Sequence, residues 1–130
     1  MKKLWDSIGM QLRDILAFPR QMNGGNVPDA LKTNNYVLGF HYMMCIHLYH
    51  FAVKGKTDDP EEGGFVLINS VAIALEMDAH DIVQKVDRFM SNPDKDFTRG
   101  IEDAKIAFEK LQEGDTNAMF EFNKNIRGTY

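Results

Sequence analysis

The chain has 130 residues, of which 44% are apolar and 26% charged, and its formal net charge is −4. That composition excludes a disordered chain; one domain is expected, able to bury roughly two thirds of its unfolded surface. Fifteen basic against nineteen acidic residues make phosphate backbones poor partners, so nucleic acid is not expected as a ligand.

The first stretch, "MKKLWDSIGMQLRDIL", opens on two lysines, as a secretory leader would. Asp6, Gln11, Arg13 and Asp14 interrupt it before an apolar core can form, so no export signal is expected. The single cysteine, Cys45, excludes an intrachain disulfide and fits a reducing, cytoplasmic location. Leu4, Ile8, Leu12, Ile15 and Leu16 recur at steps of three and four, which predicts an amphipathic helix over residues 1–18. Pro19 should stop it, and "QMNGGNVPD" reads as a loop over 19–28, long enough for the first helix to dock on its own domain or on a neighbouring copy.

Residues 29–130 read as a helical core. A long helix should begin between Pro28 and Asn34, with Pro28 in its first position or Thr33 as a later N-cap, and run to about Lys54 with Gly55 as its stop. Lys54 and Lys56 then sit at its negative end. In "TDDPEEGG", Asp59 can cap, Pro60 can open a helix and Glu62 falls at the capping-box position. This accounts for Asp58, Asp59, Glu61 and Glu62 as carboxylates at a helix N-terminus; a calcium loop would need further oxygen ligands at defined spacing. "FVLINSVAIALEM" is apolar nearly all round and reads as a buried helix, with a buried strand as the competing assignment. Asp78 should cap the next helix, which carries Ile82, Val83, Val86, Phe89 and Met90 on one face and ends at "SNPD". Phe97, Ile101, Ala104, Phe108 and Leu111 form a stripe over a charged face, "EGD" breaks it, and "TNAMFEFNKNI" closes the chain with Met119, Phe122 and Ile126 in line. The expected fold is all-α: a single-domain bundle of five or six helices around a long central helix at about 34–54.

The central segment "NNYVLGFHYMMCIHLYHFAVKG" holds three histidines, three tyrosines and Cys45, with no Asp, Glu, Lys or Arg between Lys32 and Lys54. At about 100° per residue, His47 and His50 lie about 60° apart, whereas His41 lies about 120° from His47. One straight helix therefore cannot bring all three to a single ion. His47 and His50 remain as a pair able to hold a metal or haem if facing helices supply the other ligands, but the Glu-x-x-His spacing of carboxylate-bridged bundle sites is absent. The competing reading is packing: His41 as a core histidine hydrogen-bonded to a carbonyl or tyrosine, and Tyr36, Met43, His47, His50 and Lys54 as a polar seam. A membrane span is disfavoured by Asn34, Asn35, the histidines and the tyrosines. Cys45 reads as a small buried hydrophobe.

Other chemistry is thin. "NGGN" and "EEGG" lack a phosphate-loop context, and none of Ser7, Ser70 and Ser91 sits in a glycine-flanked elbow. "AIALEMDAHDIVQKV" has a faint helix-turn-helix pattern, but Glu76 stands where glycine is usual, and Asp81 and Asp87 would face phosphates. Eight methionines and nine phenylalanines exceed what one bundle face needs, and Phe120 cannot face the same way as Phe122. The expectation is a non-enzymatic module without cofactor that binds another protein, or itself as a homodimer, as an adaptor, regulator or inhibitor. Its contact residues are expected among His47, His50, Met119 and Phe120; the alternative is a metal- or haem-binding bundle built on His47 and His50.

Overall fold

The computed structural model describes residues 2–54 and 59–130, and all regular structure among them is helical. Helix α1 (Lys2–Arg13) passes through a 3-10 turn (Asp14–Leu16) into the short α2 (Ala17–Gln21). After a loop come α3 (Asp29–Lys32), α4 (Asn35–Ala52), α5 (Pro60–Leu75), α6 (Ala79–Ser91), α7 (Lys95–Gln112) and α8 (Phe120–Ile126). The all-α assignment and the central place of α4 agree with the sequence reading; α2 and α3 are short helical pieces beyond it.

Local chemistry explains the starts of α4, α5, α6 and α7. The side chain of Asn34 accepts from the Val37 N–H at 3.1 Å, and that of Asp94 accepts from Phe97 N–H at 2.9 Å. Asp59 accepts from the N–H groups of Glu61 and Glu62 and Asp78 from that of His80, both as expected. Two boundaries differ. Pro19 lies inside α2, in the first turn, where its missing N–H costs no helical hydrogen bond, so the loop begins only at Met22. Neither Pro28 nor Thr33 opens the central helix: Pro28 precedes α3, and Asn34 caps α4. The expected stop at Gly55, with Lys56 and Asp58, lies outside the described residues.

Helix α4 is engulfed along its first half. Six consecutive residues, Tyr36 to His41, are all buried, which is why this segment is apolar on every side. Two neighbours sandwich it. Helix α5 runs antiparallel to α4: Cys45 meets the Leu67 carbonyl, and Tyr49 lies over Gly63. Helix α7 runs parallel to it, since Gly39 faces Phe97, Phe40 faces Gly100 and His47 stacks on Phe108. At the Gly39–Gly100 crossing the two backbones touch: a Cβ on Gly39 would collide with the Phe97 carbonyl, and one on Gly100 with the Tyr36 carbonyl. The buried line of α7 is accordingly Phe97, Gly100, Ala104 and Ala107. The expected stripe through Ile101, Phe108 and Leu111 is displaced outward, because small residues allow the closer approach; Leu111 is exposed. On α6, likewise, Ile82 and Val86 are buried while Val83 and Met90 face solvent.

The remaining helices close over this sandwich. Helix α1 packs on α5, where Ser70 Oγ donates to the Trp5 carbonyl at 3.2 Å and Gly9 lies against Ile73. Helix α8 lays Phe122 onto Phe40, ring centroids 4.2 Å apart, and onto Tyr36 at 5.9 Å. A polar latch holds it there. Tyr36 Oη donates to Asp103 at 2.7 Å, and the Asn125 amide donates to both, at 3.1 and 3.2 Å. Burial and the Asp103 carboxylate push the Tyr36 hydroxyl well above the usual phenol range, so it is a permanent donor.

Candidate functional site

Beyond Cys45 the surroundings of α4 open. Ile46, His47, Leu48 and Tyr49 are half-buried, and His50 and Phe51 are exposed, the latter to 69%. The second half of the central helix is thus the place where this largely apolar element reaches the surface. Two clefts flank it.

The first, of about 380 Å³, lies between the 3-10 turn after α1, α4, and the end of α7. Met44 and Leu48 of α4 line it with Ile15, Leu111 and Met119, and Asp14 stands at its lip. Phe51 follows Leu48 by three residues on the same side of α4. The second groove, of about 350 Å³, runs between α4 and the start of α5 and is lined by Ile46, Tyr49, His50, Pro60 and Leu67. The residues singled out from sequence therefore gather around one half-helix without converging on one point. Met119 lines the first cleft, and Phe120 beside it is 59% exposed. His50 lines the second groove, on the opposite side of α4. His47 lies flat on Phe108 at 4.6 Å, in the seam between α4 and α7.

The histidines diverge as the helical angles predict. His41 is fully buried, its Nδ1–H donating to the Val37 carbonyl at 2.8 Å and its ring edge-on to Phe40 and Phe122. Its Nε2 is buried without a hydrogen-bond partner among the described residues. Burial pulls this imidazole down to about 4, and the ring is neutral. His47 is lowered too, by partial burial first and by the neighbouring His50 second. Tyr36, expected on the polar seam with these residues, is instead buried against α7 and α8. Among the described residues no three His, Cys, Asp or Glu side chains are grouped so as to hold a metal ion. Cys45 is buried, with its thiol pushed up to about 12 by burial, so the nucleophilic thiolate is unpopulated at neutral pH. No helix among the described residues is long and apolar enough to cross a membrane.

The faint helix-turn-helix pattern resolves into a structural joint. Glu76 takes the left-handed conformation (φ 55°, ψ 45°) that glycine usually supplies there. Its carboxylate accepts from the Val27 N–H at 2.8 Å and lies 3.9 Å from the Arg20 guanidinium. A glycine would make the same turn but could not hold the α2–α3 loop.

Met44, Leu48, Leu111 and Ile15 were not anticipated as residues lining a cleft. A signal for the first two existed, since Met44, Leu48 and Phe51 stand at i, i+4 and i+7. In an element apolar on every side, however, that spacing does not stand out. Comparison with protein-family models, curated proteins and solved structures finds no significant match to this chain.

Proposed function

We propose that this chain is a non-enzymatic helical module that acts by binding another protein or a second copy of itself, as an adaptor, regulator or inhibitor in the cytoplasm, with the second half of α4 and its flanking clefts as the contact region. The carrying observation is the emergence of the apolar central helix at the surface between two apolar clefts, with Phe51 exposed on the helix itself and the exposed Leu111 lining the first cleft. Exposed apolar residues scattered singly are ordinary; apolar residues gathered at the lips of concave apolar surface are what a protein contact uses. The buried protonated thiol of Cys45 and the divergent imidazoles support a binding role over a chemical one.

The test is site-specific photo-crosslinking in the native cell, with a photoreactive side chain at Leu111 and, as control, at the exposed Thr98 on the same helix. A discrete adduct formed from position 111 and not from 98 is the expected result. Adducts of equal yield from both positions, or none from either, would overturn the reading. The mass of the adduct separates a second copy of the chain from a different protein.

A further inference from the structure

We propose that the cleft between the 3-10 turn and α4 receives an amphipathic helix of another protein that carries lysine or arginine beside its apolar anchors. This rests on the interaction reading above and specifies the partner's chemistry. The cleft is built from Met44, Leu48, Ile15, Leu111 and Met119. Met44 is buried at its floor, and the half-buried, unbranched Met119 can adapt to the side chains of a helix laid into it, whose anchors recur at i, i+3, i+4 and i+7.

The charge lies at the lips. Asp14 stands on one side and is exposed. On the other side α7 ends at Gln112, one residue after the lining Leu111, which brings its negative dipole end beside the cleft, with the exposed Glu113 as its C-cap. Arg13 and Lys110, the basic residues next to Asp14 and Leu111, are not among the residues that line the cleft. An apolar cleft with an aspartate on one side and a negative helix end on the other attracts a cationic amphipathic helix and repels an acidic one. It also disfavours a second copy of this chain, which brings net charge −4, and an anionic membrane surface.

The full chain would be titrated by fluorescence anisotropy into two labelled model peptides of about four helical turns. Both carry leucine at the same i, i+3, i+4 and i+7 positions; one has lysine and the other glutamate elsewhere. The lysine peptide is expected to bind, to weaken as salt rises, and to lose about tenfold in affinity in Leu111→Asp and in the double variant Asp14→Lys, Glu113→Lys. It should be unaffected by Phe65→Asp, in the separate groove between α5 and α6. All substituted positions are exposed, and far-UV circular dichroism confirms that each variant is folded. Equal binding of the glutamate peptide, equal loss in Phe65→Asp, or no binding of the lysine peptide would overturn the proposal. A position-111 adduct in the cell with no lysine-peptide binding would sink this inference and leave the interaction reading standing; an adduct with a second copy would do the same. Absence of both would sink both.

Discussion

At the scale of single residues, the decisive group is the one with the least solvent. His41 cannot take a proton without placing an unpaired charge among Phe40, Phe122 and the backbone of α4. Its folded-state pKa of about 4 lies below the unfolded value of 6.5, so between those values the unfolded chain binds more protons and stability rises with pH. Above pH 6.5 the ring is neutral in both states and the contribution is constant. On acidification from pH 6.5 towards 4, urea unfolding should show a loss of up to about 1.4 kcal/mol per pH unit from this one group. His41→Met removes the titrating group and should flatten that part of the slope; unchanged steepness would show that other groups set it. His47, half-buried beside His50, adds a smaller effect of the same sign.

At the scale of elements, the fold turns on how closely α4 and α7 approach. Gly39 and Gly100 are glycine because the opposing atoms are backbone, which cannot rotate away as a side chain can. Gly39→Ala should therefore cost roughly 1–3 kcal/mol, towards the upper end, through separation of the two helices. Gly64 is the contrast. It lies in α5, and a Cβ there meets nothing within 4 Å, so Gly64→Ala should raise stability by about 0.5–1 kcal/mol by restricting the unfolded chain. Denaturant midpoints of the two variants, moving in opposite directions, are the expected result. Equal small shifts would mean that the crossing relaxes freely.

At the scale of the whole molecule, the N-terminal arm is tied to the core through few polar contacts, and Glu76 makes two of them. The left-handed conformation costs roughly 1–2 kcal/mol for a residue with a side chain. Leaving the buried Val27 N–H without an acceptor costs about 1–3 kcal/mol, so the anchor outweighs the strain. Glu76→Gln keeps an acceptor for Val27 and loses only a long, partly exposed ion pair; it should cost less than about 1 kcal/mol. Glu76→Gly should release the arm, read as faster tryptic cleavage after Arg20 than in Glu76→Gln. Equal cleavage rates would show that α1 and the loop are held by apolar packing alone.

Much of this fold was legible in the sequence because it is decided within a few residues. Asp59 and Asp78 each act on N–H groups two or three positions away, and the stripe of Ile8, Leu12 and Leu16 needs only helical geometry to form one face. The divergence of His41, His47 and His50 follows from the same 100° step. Other features join residues far apart in the chain and have no local signature. The backbone contact of Gly39 with Phe97, the reach of Glu76 to Val27, and the meeting of Ile15, Met44, Leu48, Leu111 and Met119 around one cleft are of this kind. Short-range capping and periodicity determined which segments are helices and which way their side chains point. Which of those side chains are covered was decided only when the helices packed, because burial depends on the partner surface and not on the residue alone.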